Sequence, residues 1–97
     1  MADHFFSPEA RLDLFEIWDY IAEDNISAAD RVVLEIKDAI TMLSMNPELG
    51  HVRKDLTSKS VRFWPVYSYL IIYNPATQPL EVVRILSGYR DLTVLLA

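Results

Sequence analysis

The sequence predicts an α+β domain: an N-terminal helical hairpin packed on a small antiparallel β-sheet. Three observations carry that expectation. Apolar residues of the first half recur at helical spacing. After Pro47 the pattern changes to short runs of aromatic and β-branched residues bounded by turn formers. Those runs follow one another through short links, so the strands are expected to pair antiparallel, with the helices gathered at the start of the chain.

His4, Phe5 and Phe6 form a short apolar run, read as a short strand. Ser7-Pro8-Glu9 reads as a helix start, because Ser7 can accept from an unpaired amide and Pro8 has none to leave unpaired. Leu14, Ile17, Trp18 and Ile21 then fall on one helical face. Asp13, Glu16, Asp19 and Glu23 read as its solvated side. This helix is expected to end near Asp24-Asn25. A second is expected to begin at Ser27, with Asp30 near its positive end. Its stripe is Ala29, Val32, Val33, Ile36, Ile40 and Leu43, and Asn46-Pro47 stops it. Phe15, Trp18 and Met45 are expected in the core.

Residues Gly50 to Ser58 read as a polar loop. Ser60–Trp64 reads as a strand broken by Pro65, Tyr67–Tyr73 as a second strand, and Leu80–Leu86 as a third. Asn74 to Pro79 is a turn, and Ser87-Gly88 closes the last strand. The tail Tyr89–Ala97 is expected as a further strand or a short helix. Its apolar end (Leu92, Val94, Leu95, Leu96) predicts that it docks, since chain ends are ordinarily mobile and polar.

A length of 97 residues fits one domain, 1–97, with one core and little spare stability. A hydrophobic fraction of 52% argues against disorder. Without cysteine, disulfide and thiol chemistry are excluded. No signal peptide and no apolar stretch of about 20 residues is visible. The expectation is a cytoplasmic protein with no membrane partner.

The net charge of −5 hides an asymmetry. Residues 1–50 hold three basic and eleven acidic residues, a balance of −8. Residues 51–97 hold six basic and three acidic residues, a balance of +3. An acidic side and a basic side are expected. Strong direct DNA binding is not, because phosphate neutralisation needs an excess of cations.

The strands are partly apolar on both sides. Tyr67, Tyr69, Ile71 and Tyr73 alternate with Ser68, Leu70 and Ile72. In the next strand Val83 and Ile85 are grouped against Val82, Arg84 and Leu86. One helical hairpin covers one sheet face. The second face therefore needs the tail, a partner or another copy as its cover.

Catalytic signals are sparse. His4 and His51 lie far apart and outside any metal-ligand spacing. Two glycines make no phosphate loop, and no nucleophile motif occurs. No metal or cofactor is expected. Arg62, Arg84, Tyr89 and Arg90 remain, around the strands and beside an uncovered apolar face. Arginine and tyrosine there can hold phosphate, orient RNA or pair with a partner's carboxylates. Each also has a plainer role: Arg62 on an edge strand, Arg84 paired with Glu81 or an acid of the hairpin, Tyr89 packed on the helices.

Ser7-Pro8-Glu9-Ala10, Asp13-Leu14, Ile17 and Tyr20-Ile21-Ala22, in this order, resemble the opening of the ParE toxins of the RelE/ParE superfamily. Ala28-Ala29-Asp30-Arg31, Asn46-Pro47-Glu48-Leu49-Gly50 with Arg53, and Tyr69-Leu70-Ile71-Ile72-Tyr73 follow. Val83-Arg84-Ile85-Leu86-Ser87-Gly88-Tyr89-Arg90-Asp91-Leu92 completes the likeness, which spans nearly the whole chain. The resemblance implies the toxin of a type II toxin–antitoxin system, neutralised by a ParD-like antitoxin and poisoning DNA gyrase. The alternatives are a ribosome-dependent mRNA interferase of the RelE type, or an inactive module that binds antitoxin. RelE-like ribonucleases place arginine where Leu70 stands, carry more cations on the strand of Arg62, and often end with tyrosine or histidine. Arg90 does match a basic position of theirs. Many ParE members have histidine where Ser87 stands. The residues expected to bind antitoxin or target are Arg62, Leu70, Ile72, Arg84, Tyr89 and Arg90, with no catalytic residue assigned.

Overall fold

The structure, a computed structural model, describes residues 3–88 and 92–96. It runs β1 (His4–Phe6), α1 (Pro8–Ala22), α2 (Ile26–Met45), a 3-10 turn (Pro47–Leu49), β2 (Arg62–Val66), β3 (Tyr69–Asn74), β4 (Leu80–Ser87) and α3 (Leu92–Leu95). The class is the expected α+β, with strands in the order β1-β4-β3-β2.

Ser7 caps α1 as expected, its Oγ accepting from the Ala10 amide at 3.0 Å. The second helix opens one residue before the expected Ser27. Asn25 is the cap: its Oδ1 accepts from the Ala28 amide at 2.9 Å. Its own amide donates to Ile21 O at 3.0 Å and closes α1. One residue thus serves both helix ends, which shortens the hairpin link to Glu23–Asn25.

Three strand expectations change. First, β2 continues through Pro65 instead of breaking there. Proline lacks a ladder donor, but β2 is an edge strand, where that costs no partner. Second, the sheet is mixed. β2, β3 and β4 are antiparallel as expected, whereas β1 lies parallel to β4, pairing His4 with Leu80 and Phe6 with Val82. A parallel neighbour requires a long connection, and the rest of the domain lies between these two strands. Third, the alternation of β4 slips. Ile72 pairs with Arg84 but Tyr73 with Val82, so Val83 is an extra residue in a bulge. Val82 and Ile85 consequently share the hairpin side, while Val83 and Leu86 share the other.

Each sheet face carries its own cluster. On the hairpin side, Ala10, Ile17, Ile36, Ile40 and Leu43 pack against Ile71, Tyr73, Leu80, Val82 and Ile85. On the other side, Phe63, Ile72 and Leu86 are covered by Leu92 and Leu96, with Leu56, Val61, Leu70, Val83 and Leu95 around them. The second face is therefore covered by the chain's own tail, which takes the helical option. Phe15 and Met45 are not core residues: they are 63% and 71% exposed. Trp18 is half-buried and ties the helices together, its indole N–H donating to Asp30 at 2.8 Å.

Candidate functional site

The geometry around β4 starts from an unfinished edge. β1 pairs with β4 only along Leu80, Glu81 and Val82. Beyond that point the first turns of α1 supply partners. The Ser7 amide donates to Val82 O at 2.9 Å, and Ser7 Oγ donates to Val83 O at 2.7 Å. The Ile85 amide donates to Asp13 Oδ2 at 3.0 Å. Arg84 closes the arrangement with a two-pronged pair, Nε to Asp13 Oδ2 at 2.7 Å and Nη2 to Asp13 Oδ1 at 2.9 Å. Asp13 is buried, so its charge needs these donors. The Asp13 carboxylate holds the Arg84 guanidinium above its usual range, with Glu9 and Glu16 adding to the effect.

A second clamp sits below Asn46. Tyr73 Oη donates to Pro47 O at 2.6 Å and accepts from the Gly50 amide at 2.8 Å. A Cβ on Gly50 would collide with that phenol, so this close approach requires glycine. Arg62, opposite Tyr73 across the ladder, donates from Nη1 to Gly50 O at 2.8 Å and to Glu48 O at 3.3 Å. Burial pushes the Tyr73 phenol above its ordinary value. His51 stacks on Trp64 with ring centroids 6.2 Å apart.

The tail-side face holds a cavity of about 200 Å³ between Ile72, Val83, Arg84, Thr57, Leu95 and Leu96. Leu70 borders a shallower depression of about 230 Å³ with Pro65, Tyr67 and Gly88. Leu70, Ile72 and Arg84 thus fall around one face. Arg62 does not join them, being turned to the Asn46–Gly50 clamp on the hairpin side. Tyr89 and Arg90 lie outside the described residues.

The family described as ParE toxin of type II toxin-antitoxin system, parDE, matches residues 5–92. The chain belongs to that family. The fold is similar to that of a solved structure titled "Chromosomal ParDE TA system from P. aeruginosa", with a TM-score of 0.71 and 18% identity. That likeness covers 87% of this chain and 92% of the other. No curated protein matches the sequence.

Segments that carry the ParE likeness now have structural roles. Ser7 to Asp13 completes the edge of β4, Asn46 to Gly50 is held by Tyr73 and Arg62, and Val83-Arg84 forms the bulge. Asp13 is the residue that sequence reasoning missed, having been placed on a solvated face. The available signal was its spacing, since Ala10, Asp13 and Ile17 fall at i, i+3 and i+7 and all three are buried.

A groove of about 470 Å³ was also unforeseen. It runs between α1 and the end of the sheet, lined by Glu16, Ile17, Tyr20, Tyr69, Ile85 and Ser87, among others. Burial raises the Tyr69 phenol above its usual range, and Tyr20 adds to the shift. Among the described residues, no group of three His, Cys, Asp or Glu could hold a metal ion. Among them too, no helix is long and apolar enough to cross a membrane.

Proposed function

We propose that this ParE-family toxin acts in the cytoplasm by binding and poisoning DNA gyrase, and that a ParD-like antitoxin silences it. The family match over residues 5–92 carries the reading. The arginines of the sheet support it against the RNA-cleaving alternative. Cleavage at a 2′-hydroxyl needs a base, an acid and groups free to stabilise phosphate charge. Arg84 is committed to Asp13, and Arg62 to the carbonyls of Glu48 and Gly50. Both build the fold, which suits a toxin that works by docking.

In this proposal the antitoxin segment seats on the tail-side face. Leu70 and Ile72, with Tyr89 and Arg90 further along the chain, make the contacts, and Arg62 and Arg84 hold the sheet beneath them. A segment with apolar residues at helical spacing would replace or extend the cover that Leu92 and Leu96 now give. Lys59 lines the cavity there and suits an acidic residue on that segment. Apolar burial dominates the affinity, and the charges set orientation and association rate.

The test uses purified toxin in two assays. With gyrase and plasmid, we expect inhibited supercoiling or gyrase-cleaved DNA, reversed by the antitoxin. In a translation mixture, mRNA should stay intact. Cleaved mRNA with unaffected gyrase would overturn the proposal. Neither effect, together with normal growth on expression, would mean an inactive antitoxin-binding module.

A further inference from the structure

The groove between α1 and the end of the sheet has a make-up unlike that of the tail side. Its floor is apolar, with Ile17 and Ile85 both buried. Tyr20, 74% exposed, and Tyr69, half-buried, contribute aromatic rings. Of its two carboxylates, Asp13 is already bonded to Arg84 and to the Ile85 amide. Glu16 is exposed and forms no ion pair among the described residues. The surrounding helices reinforce its charge: residues 8–45 carry nine acidic and three basic residues, a balance of −6.

We propose that this groove receives an arginine side chain from a basic segment of the toxin's target enzyme. The chemistry fits that side chain part by part. The methylene stem lies on Ile17 and Ile85, as long cationic side chains cover apolar surface. The planar guanidinium faces the rings of Tyr20 and Tyr69. Glu16 takes its charge in a two-pronged pair. A volume of about 470 Å³ lies within the usual range of ligand-binding clefts and leaves room for flanking residues.

Charge complementarity selects the occupant, and this step rests on the gyrase reading. An enzyme that handles DNA presents cations to phosphate. An acidic hairpin is drawn to such a surface. The tail side, where Lys59 lines the cavity with Glu9 and the Asp13-bound Arg84, offers Lys59 to an acidic residue instead. The toxin then carries two recognition surfaces of opposite character, and Glu16 and Tyr20 belong to the target's.

The test compares Glu16→Arg and Tyr20→Ala with a charge-matched control on α2, Asp38→Arg. All three residues are exposed, so circular dichroism should report an unchanged fold. Each variant is assayed for binding to purified gyrase, for binding to the antitoxin and for growth arrest. We expect Tyr20→Ala to weaken gyrase binding about 2- to 30-fold. Glu16→Arg should weaken it by about tenfold or more. Antitoxin binding should hold for both, and Asp38→Arg should match the wild type. Gyrase binding unchanged in both groove variants would overturn the inference while leaving the proposed function standing. So would a loss confined to antitoxin binding, or an equal loss in Asp38→Arg. If the wild type arrests growth without binding gyrase, the proposed function fails, and growth arrest then tests the groove alone. In that case toxic groove variants refute it, and harmless ones with intact antitoxin binding support it for another basic target. If the wild type does not arrest growth, both readings fall.

Discussion

The two faces of the sheet are closed by different means. On the hairpin side, two full helices cover the strands, and polar ties at both ends reinforce the packing. Ser7 and Asp13 fasten α1 to β4, and Tyr73 and Arg62 fasten the Asn46–Gly50 segment. On the tail side, a four-residue helix and loop residues cover Phe63, Ile72 and Leu86. The tail contributes two buried leucines, one of them beyond the end of its helix. The lesson is a division of labour. A face locked by the buried Asp13 and by polar ties resists remaking, whereas the face closed by a short tail is the one proposed to exchange its cover for a partner's segment.

The largest effect should separate these faces directly. Ile40 is fully buried under the hairpin, and Leu96 is 5% exposed at the end of the tail. Ile40→Ala should cost about 3–4 kcal/mol, as cavities do in a rigid core. Leu96→Ala should cost about 1–2 kcal/mol, below the usual core range, because the short segment beside its four-residue helix can settle into the space. Urea unfolding measures both, and equal losses would erase the contrast.

Asp13→Ala comes next. It would leave the Ile85 amide without its acceptor and Arg84 without its partner. A loss of about 3 kcal/mol is expected, within the range for one-sided removal from a buried or charge-assisted pair. Arg84→Ala should also destabilise, through the stranded Asp13 carboxylate. A change under about 0.5 kcal/mol in Asp13→Ala would mean that the edge of β4 needs no such support.

Tyr73→Phe removes two hydrogen bonds and should cost about 1–2 kcal/mol. It also carries a pH signature. Burial raises this phenol in the folded chain, so the unfolded chain releases the proton first. The associated stability is whole below the ordinary tyrosine value near 10 and falls as pH rises through the folded value. Tyr73→Phe should flatten part of that alkaline decline, leaving the share of Tyr67 and Tyr69, whose phenols are also raised. Melting temperatures between neutral and strongly alkaline pH give the slope.

At the small end lies the pair of Arg53 with Asp55, 2.7 Å long and exposed on the loop that follows Gly50. The Arg53 hydrogen bond holds the Asp55 carboxyl below its ordinary value. Any stability it gives is therefore present above that value and lost in more acidic solution. Solvent screens the pair, and Asp55→Asn should leave the melting temperature at neutral pH unchanged. A clear drop would place this loop among the structural clamps.

Most of the fold was legible in the sequence because its helices obey one period and its strands another. Ala29, Ile36, Ile40 and Leu43 are buried as their spacing requires. What escaped depended on partners distant in the chain. Pro65 breaks a strand only if that strand has neighbours on both sides, and β2 is an edge. Val83 looked like a neighbour of Ile85 because a bulge leaves no mark in the alternation of β4. Asp13 looked solvated because the donors it satisfies, Arg84 and the Ile85 amide, lie on the last strand. Of the candidate residues, Leu70, Ile72 and Arg84 lie around one face. The pairing of Arg84 with an acid of the hairpin was one of its plainer readings, and that acid is Asp13. The turn of Arg62 to the carbonyls of Glu48 and Gly50, by contrast, depends on acceptors that local patterns do not reveal.

Hydrogen exchange on the free toxin and on its antitoxin complex tests the division of labour most directly. Binding should protect the amides of Ile72, Leu86 and Leu92 to Leu96, or free the last of these if the tail is displaced. Amides of α1 and α2, and those beside Tyr20 and Tyr69, should exchange at unchanged rates. Protection concentrated along α1 and at Tyr69, with the tail-side amides unaffected, would place the antitoxin in the acidic groove and overturn the division of labour between the two faces.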